Sequence, residues 1–268
     1  MLDVTSIPEA LRTAHGAALA RIEDAALTAS QPREQAFYDG WLLRYANGKA
    51  KRARSVNLTG PGELPLDEKL AYCADFYARR GVPLILRVTP FSQPSGVDRA
   101  LAQAGFIAAE DTRVMVLDLS EASRVSAPPA TLVALDRAAF GAALASLHGL
   151  DPQRAEVERD RFARSALDGT YLAVRDGERI IACGSAAIDG SRAGIFGMVT
   201  AAACRGRGIA TRIVIELLGQ ARARGCTTAY LQVEASNAPA RHAYSKFGFR
   251  DGYAYWYRFP PAGEERKG

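Results

Sequence analysis

The 268-residue sequence is poor in the residues that build metal sites and disulfide frameworks, with only four cysteines and three histidines. Cys73, Cys183, Cys204 and Cys226 show no CxxC spacing, and too few histidines lie near them for a zinc site. We therefore expect no bound metal and four reduced cysteines that serve as small core residues. Reduced cysteines are typical of a cytoplasmic protein, which is the localisation we expect.

Long apolar runs are also missing. No stretch of about 18 residues is apolar and free of charge, which is the minimum for a membrane-spanning helix. The opening residues contain acids and Pro8 where an export signal requires an uninterrupted apolar run. The sequence therefore predicts neither membrane insertion nor export.

The composition is that of a globular protein. Hydrophobic residues make up 48% of the chain and charged residues 24%, and the mean hydropathy is −0.09, which is typical of a chain that folds. The length favours two domains of moderate size. A net charge of +5 and a pI near 9.1 favour anionic partners, a class that includes nucleic acid, acidic membranes and polyphosphate cofactors.

Hydrophobic periodicity predicts a mixed α/β chain with a break in its middle. In the first part the pattern predicts helices over 7–29, 66–80 and 95–104 and strands over 40–45, 52–58, 84–88 and 113–119. A polar stretch with Pro128 and Pro129 resembles a linker. The expected domains are a helical arm (1–29), a first domain (30–120), a linker (121–130), a second domain (131–259) and a mobile tail (260–268).

The second part begins with two helical stretches around Leu144 and Arg159. Strands are predicted over 171–175, 179–188 and 193–199, with hairpin signals at Asp176-Gly177 and Asp189-Gly190. A long amphipathic helix over 207–224 follows, and then a strand over 228–233, a helix over 236–246 and a strand over 249–258.

The two parts repeat one another. Gly81 and Gly105 are separated by 24 residues and flank a strand and a helix, while Gly225 and Gly248 are separated by 23 residues and flank the same elements. This spacing predicts two copies of one fold, although a chance match of common segments is the alternative.

The strongest local signal is a strand that enters a helix through a glycine-rich turn. Backbone N–H groups in the first turn of a helix lack intrahelical partners and attract phosphate, and glycines let phosphate approach them. Arginines can add charge-assisted hydrogen bonds. The competing interpretation is an ordinary turn with solvated arginines. The segment comprises Met198, Val199, Thr200, Arg205, Gly206, Arg207, Gly208, Ile209, Ala210 and Thr211.

A second pattern downstream decides between these interpretations. The pair Arg205-x-x-Gly208-x-Ala210 and Asn237-x-x-Ala240-x-x-x-Tyr244-x-x-x-Gly248-Phe249 resembles the GNAT superfamily of N-acetyltransferases over residues 132–259. The resemblance implies an α/β fold with a mixed sheet. Together with the repeat, it implies two GNAT-like acyl-CoA N-acyltransferase folds in tandem, the first of them degenerate.

The resemblance also implies roles for the motif residues, with acetyl-CoA as acyl donor and no metal. Residues 206–211 resemble the loop that holds the pyrophosphate of acetyl-CoA. Residues 198–200 resemble the strand whose backbone pairs with the pantetheine arm, and in this family that strand splays from the next one, here 228–233. Asn237 resembles a contact to the cofactor arm, and it could equally cap the following helix.

Two residues are candidates for proton transfer. Tyr244 resembles the family's general acid, which would protonate the departing CoA thiolate, and its alternative is a packed helix aromatic. Glu234 is our choice for the base that helps to deprotonate the amine, although a strand-end carboxylate that only faces solvent fits its position as well. His148 and His242 are interpreted as surface or satisfied polar residues.

The acceptor is an amine of a small molecule or a peptide, and nothing in the sequence identifies it or the oligomeric state. Phe140, His148, Phe162 and Tyr255 are expected around the acceptor cleft. The basic run from Lys49 to Arg54 lacks the interleaved aromatic residues of a nucleic-acid site, so nucleic acid is not an expected partner. A non-catalytic module that binds or senses acyl-CoA is the alternative function.

The first copy lacks the corresponding chemistry. Alignment of Gly105 with Gly248 places Leu101 where the second copy has Tyr244. The loop before the helix at Leu66 contains two prolines and no arginine, and Asp67 and Glu68 in the first helical turn would repel phosphate. We therefore expect one cofactor per chain.

Overall fold

A computed structural model describes residues 1–48 and 50–261. Lys49 of the basic run and most of the expected tail, from Ala262 on, lie outside the described residues. The helices are α1 (Glu9–Arg12), α2 (Ala17–Ala29), α3 (Leu66–Ala78), α4 (Val97–Gln103), α5 (Arg137–Leu147), α6 (Pro152–Ala163), α7 (Ile209–Ala223) and α8 (Ala238–Ser245).

The strands are β1 (Glu34–Tyr38), β2 (Trp41–Tyr45), β3 (Val56–Asn57), β4 (Leu86–Val88), β5 (Ile107–Asp118), β6 (Thr131–Ala134), β7 (Asp168–Asp176), β8 (Arg179–Asp189), β9 (Arg192–Thr200), β10 (Thr228–Glu234) and β11 (Arg250–Phe259). Parallel and antiparallel pairs both occur, so the sheet is mixed, as the expected fold class requires.

The chain divides into two compact units whose bounds differ from the expected domains. The first unit comprises Met1–Ala20, Pro32–Arg113 and Gly252–Gly268, and the second comprises Arg21–Gln31 and Val114–Asp251. Strand β11 thus belongs to the first unit because it pairs with β4, Trp256 opposite Val88. The end of β5 belongs to the second unit, where β5 neighbours β10.

In the first unit the strands follow the order β1-β2-β3-β4-β11. Strands β1 and β2 form a hairpin, β2 pairs with β3 antiparallel, and β3 pairs with β4 parallel. Helices α3 and α4 contribute Cys73, Phe76, Tyr77 and Leu101 to a buried core that also contains Trp41.

In the second unit the strands follow the order β5-β10-β9-β8-β7-β6. Antiparallel strands β7, β8 and β9 are joined by the two predicted Asp-Gly turns, in which Gly177 and Gly190 have positive φ. Helix α7 packs on this sheet through a stripe with the predicted helical spacing, including the fully buried Ile213 and Leu217. Each such side chain contributes about 1.5–3 kcal/mol on burial.

The order of elements repeats between the two units. In the first unit, antiparallel β1, β2 and β3 lead to α3 and then to β4, which is parallel to β3. In the second unit, antiparallel β7, β8 and β9 lead to α7 and then to β10, which is parallel to β9. The glycines of the predicted repeat, Gly81, Gly105, Gly225 and Gly248, all have positive φ after a helix end.

Three sequence predictions need correction. The helix expected over 7–29 is interrupted, because Gly16 has φ +118, outside the helical range, and α2 begins only at Ala17. Strand β1 was not predicted, and Gly40, which belongs to the turn that joins β1 to β2, was taken as the start of a strand. Residues 52–58 form a 3-10 turn and the two-residue β3 instead of one strand.

Candidate active site

The two motif segments lie at one edge of the sheet in the second unit. Strands β9 and β10 are parallel neighbours, with Thr228 opposite Arg192. The loop of Arg205 to Gly208 follows β9, and Asn237 follows β10. Since the carboxyl ends of parallel neighbours lie at the same edge, the topology brings both segments to that edge.

Strands β9 and β10 separate before they end. The paired residues of the two strands run from Thr228 opposite Arg192 to Leu231 opposite Ile195, while β9 continues to Thr200 and β10 to Glu234. The strand segment that contains Met198, Val199 and Thr200 instead pairs on its other side with β8. The splay described above for this pair of strands is therefore present, and it opens toward the edge that carries both motifs.

A bulge in β9 marks the start of the splay and was missed by the sequence analysis. The register between β8 and β9 shifts between Cys183 and Ser185, and Gly197 has φ +61. A Cβ at Gly197 would lie 2.9 Å from Cζ of Phe140, so the aromatic ring packs directly against the backbone. A glycine inside a predicted strand was the available signal, because such glycines often mark bulges and close approaches.

The side chains of β9 alternate between two faces around this bulge. Met198 packs against the core beneath α7, and Val199 packs against the aromatic cluster of α5 and α6. Gly184 of β8 lies under Met198, since a Cβ there would come within 2.2 Å of its sulfur. Packing on both faces thus holds the backbone of residues 198–200 in place along the splay.

The glycine-rich loop leaves the N-terminus of α7 open. Gly206 and Gly208 both have φ +73, a conformation that glycine adopts without a Cβ penalty. Gly208 is the N-cap residue, so no side chain caps the helix. The N–H of Arg212 donates to the carbonyl of Gly208 in the first helical hydrogen bond. The N–H groups of Ile209, Ala210 and Thr211 therefore lie in the turn where helices bind anions.

Exposed arginines flank this loop. Arg205 donates from Nε to the carbonyl of Thr200 over 3.3 Å, and its exposed side chain has further donors. Arg207 is exposed and lies 3.9 Å from the sulfur of Cys204. Two guanidinium groups and a helix N-terminus together make the loop a positively charged surface.

The expected linker also reaches the loop. Residues 122–130 contain neither helix nor strand, yet the N–H of Ser123 donates to the carbonyl of Phe247, and a Cβ at Gly208 would lie 2.8 Å from Cδ of Pro128. This contact makes glycine necessary at 208 on steric grounds, in addition to its conformation. A contact between the linker and the glycine-rich loop was not predicted from the sequence.

Tyr244 lies on α8 with its ring against the core of the second unit. The ring packs edge to face on Phe249 with centroids 6.0 Å apart. Burial raises the pKa of Tyr244 to about 12. The hydroxyl is therefore protonated at neutral pH, as a proton donor must be.

Asn237 and Glu234 lie in the segment that joins β10 to α8. The side chain of Asn237 accepts a hydrogen bond from the N–H of Ala240 over 3.2 Å, so it caps α8. Glu234 is the last residue of β10; its side chain is exposed, and its carbonyl accepts from the N–H of Asn237. The cap predicted for Asn237 is present, and Glu234 lies at the mouth of the splay.

The residues expected around an acceptor cleft have other surroundings in the structure. Phe140 and Phe162 are buried in a small core with their ring centroids 4.8 Å apart, and His148 is exposed at the end of α5. Tyr255 belongs to the first unit, where it accepts a hydrogen bond from Arg52. Phe140 and Phe162 are packing residues, because they fill the core between α5, α6 and the sheet.

The four cysteines are free thiols, and Cys73, Cys183 and Cys226 are buried. Burial raises the pKa of Cys73 and of Cys183 to about 12. Across residues 1–48 and 50–261, no cluster of three or more potential metal-ligating side chains is present. In the same part of the chain, every helix is too short or too polar to cross a membrane.

The chain matches a family of known proteins over most of its length. The family described as "Probable histone acetyltransferase Rv0428c C-terminal" matches residues 16–258. The "Uncharacterized N-acetyltransferase YobR" of Bacillus subtilis (strain 168) is 27% identical over 225 residues, which cover 81% of this chain and 89% of that protein.

Solved structures show the same fold. A GCN5-related N-acetyltransferase from Kribbella flavida aligns with a TM-score of 0.68 at 15% identity, over 92% of this chain and 95% of its own. A tandem GNAT protein from the clavulanic acid biosynthesis pathway aligns with a TM-score of 0.59 at 16% identity, over 74% and 70%. The chain therefore belongs to the family of the probable histone acetyltransferase Rv0428c C-terminal region, and it is an N-acetyltransferase of the GNAT type.

Proposed function

We propose that this enzyme transfers an acetyl group from acetyl-CoA to an amine, at the edge where β9 and β10 separate. The observation that carries the proposal is the splay itself, which begins after Ile195 and Leu231 and lies beside an open, positively charged helix N-terminus. A thioester arm needs a gap between strands with backbone groups along it, and its pyrophosphate needs N–H donors at one end.

The residues present fit acetyl-CoA. Nothing lies within 4 Å of a Cβ built on Gly206, so an anion can approach the backbone there. The N–H groups of Ile209, Ala210 and Thr211 and the guanidinium groups of Arg205 and Arg207 would hold the pyrophosphate, each charged hydrogen bond contributing about 1.5–3 kcal/mol. Met198, Val199 and Thr200 would present their backbone to the pantetheine arm, and Asn237 would contact it beyond its role as cap.

Tyr244 and Glu234 would carry out the proton transfers of the reaction. The neutral amine attacks the thioester carbonyl carbon, a C–N bond forms, the nitrogen loses one proton to solvent, and the C–S bond breaks with release of the CoA thiolate. Tyr244 would donate its hydroxyl proton toward the sulfur, which its raised pKa allows at neutral pH. Glu234, exposed at the end of β10, would accept a proton from the incoming ammonium group, directly or through water.

The acceptor is an amine of a small molecule or of a peptide. Because the family's description refers to a probable histone acetyltransferase, lysine-containing peptides belong among the acceptors to be tested. An exposed Glu234 beside the open mouth of the splay is compatible with either class, since a basic side chain or a free amine can approach it from solvent.

We further propose that the chain is a tandem of two GNAT copies and that only the second binds cofactor. The repeated order of elements and the four positive-φ glycines support the tandem. Leu101, the counterpart of Tyr244, is fully buried in the core of the first unit and offers no proton donor.

The experiment that tests the proposed function measures free CoA released from acetyl-CoA by the purified chain across a panel of amines and lysine peptides. We expect release that depends on at least one amine and on Tyr244. Binding of acetyl-CoA without release by any amine would favour the alternative, a non-catalytic acyl-CoA-binding module. Absence of both would refute the assignment of the site.

A further inference from the structure

The loop before α3 in the first unit is built around an internal carboxylate. Oδ1 of Asp39 accepts from the N–H of Glu63 over 2.8 Å, and Oδ2 accepts from the N–H of Leu64 over 3.0 Å. Lys69 of α3 lies 3.0 Å from Oδ2 and also donates to the carbonyl of Asp39 over 2.7 Å. Its side chain is only 2% exposed and lies 4.2 Å from the centre of the Trp41 ring.

This loop corresponds by topology to the cofactor loop of the second unit. Strand β3 runs parallel to β4 and leads through residues 58–65 into α3, just as β9 runs parallel to β10 and leads through 201–208 into α7. In both units the preceding hairpin turns at an Asp-Gly pair, Asp39-Gly40 and Asp176-Gly177. The second strand of each hairpin, β2 or β8, is antiparallel to β3 or β9. Each Asp-Gly turn therefore lies at the edge of the sheet where β3 or β9 ends and the loop begins.

We propose that the carboxylate of Asp39 occupies, in the first unit, the anion position that the second unit offers to the cofactor's pyrophosphate. This inference rests on the proposed function, because that function assigns the pyrophosphate to residues 205–211. An anion bound by two consecutive backbone N–H groups and a lysine before a helix is the arrangement by which proteins hold phosphate. Here the anion is supplied by the chain itself.

The loop is tightly packed around Asp39. A Cβ on Gly62 would lie 2.1 Å from Oδ2 of Asp39 and 2.5 Å from Nζ of Lys69. The backbones of Gly40 and Gly60 approach so closely that a Cβ on Gly40 would lie 2.9 Å from the carbonyl of Gly60. The cofactor loop differs at Gly206, where the corresponding space is open. The first copy is therefore closed by its own side chain.

The test removes the carboxylate and asks whether an external anion replaces it. Asp39 has φ +41, a conformation that glycine and asparagine tolerate. Asp39→Gly therefore vacates the position without backbone strain, whereas Asp39→Asn fills it with a neutral group of the same shape. Both changes are made in the whole chain with Gly206→Asp added, which weakens pyrophosphate binding at the second loop and does so equally in the two variants. Thermal unfolding is followed in sodium pyrophosphate and in sodium chloride of equal ionic strength.

We expect pyrophosphate to raise the unfolding temperature of the Asp39→Gly chain by several degrees over chloride and to leave the Asp39→Asn chain unchanged. Adding Lys69→Met to Asp39→Gly should remove the gain. If Asp39→Gly is unfolded in chloride, recovery of a cooperative transition in pyrophosphate supports the proposal. Equal responses of the glycine and asparagine chains overturn it.

Failure of the proposed function gives a different result. It would be seen as absence of acetyl-CoA binding by the unaltered chain in a separate titration. The difference between the Asp39→Gly and Asp39→Asn chains does not depend on that binding.

Discussion

At the scale of single residues, the proposed cofactor site depends on two glycines that have no side chain. Gly206 and Gly208 share the same left-handed conformation, but their surroundings differ, because Pro128 lies against Gly208 and nothing lies against Gly206. A substitution at Gly208 therefore changes both charge and packing. A substitution at Gly206 meets no neighbouring atom but still strains the left-handed backbone, so its charge effect is isolated by comparing aspartate with asparagine at the same position.

We predict that Gly208→Asp abolishes acetyl-CoA binding, because it places a carboxylate and a clash at the pyrophosphate position. Gly206→Asp should weaken binding by about tenfold or more, since each 1.4 kcal/mol of repulsion is tenfold in affinity. Its matched control is Gly206→Asn, which has the same shape and tolerates the conformation, and which should bind nearly as the parent does. Calorimetric titration checks all three, and unchanged affinity in both aspartate variants would refute the loop assignment.

Tyr244 is expected to act in turnover and not in binding. Tyr244→Phe removes the proton donor, keeps the ring against Phe249 and should lower kcat by roughly tenfold to ten-thousandfold. Because burial raises the pKa of Tyr244 to about 12, the hydroxyl keeps its proton up to that range. The parent should therefore show no loss of kcat between about pH 7 and about pH 10 from this group. Steady-state kinetics of both proteins check this, with Tyr171→Phe as a control; equal kcat values would make Tyr244 a packing residue.

At the scale of elements, a pair of variants can separate the capping role of Asn237 from its proposed role in binding. Asn237→Ala removes the hydrogen bond to Ala240 and should cost about 0.5–2 kcal/mol of unfolding free energy. Asn237→Asp retains the cap and should restore stability. We expect it to leave acetyl-CoA affinity reduced, because we propose that the amide also contacts the cofactor arm. Denaturant unfolding and calorimetry measure the two properties, and full affinity in Asn237→Asp would confine this residue to capping.

The elements that sequence reasoning predicted best are those with a strong local signal. Helix α7 has a sustained apolar stripe from Ile209 to Leu217, and the hairpins of β7, β8 and β9 have Asp-Gly turns, so their type and order are confirmed. The elements that were missed depend on long-range pairing. Strand β1 exposes one edge and several polar residues, and β6 follows directly on a proline-rich segment; both exist because a neighbouring strand pairs with them.

The features of the candidate site were predicted to different degrees. The sequence predicted the glycine turn at Gly206 and Gly208 and the cap at Asn237, because both depend on their own backbone or a near neighbour. Their roles in binding the cofactor stay predictions. The bulge at Gly197 and the contact of Pro128 with Gly208 depend on which distant segment packs there. For the same reason Phe140 and Phe162 were expected around a cleft but lie in the core.

At the scale of the whole molecule, two strands do not follow the expected domain bounds. Strand β11 follows α7 and α8 along the chain but pairs with β4 in the first unit. Strand β5 follows α3 and α4 along the chain, and its end contributes Met115 and Leu117 to the core of the second unit. The expected domains, 30–120 and 131–259, are continuous in sequence and therefore differ from the compact units.

We predict that a fragment of residues 131–259 does not fold alone, because it lacks the β5 residues that complete its sheet and exposes the edge of β10. Co-expression with a fragment of residues 1–130 should restore a soluble, cooperatively unfolding complex. Circular dichroism melting of the fragment, the pair and the full chain checks this. A cooperative transition in the isolated fragment would mean that β5 is dispensable for its folding.

We propose that one chain holds one acetyl-CoA, in the second unit, at the N-terminus of α7. The open loop at Gly206 and the separation of β9 from β10 favour binding there, and the carboxylate of Asp39 would close the corresponding loop of the first unit. The most direct measurement is a crystal structure of the full chain grown with excess acetyl-CoA. We predict one cofactor per chain, with its pyrophosphate on the N–H groups of residues 206–211 and its thioester between β9 and β10. Two cofactors per chain, or one bound only in the first unit, would contradict the account.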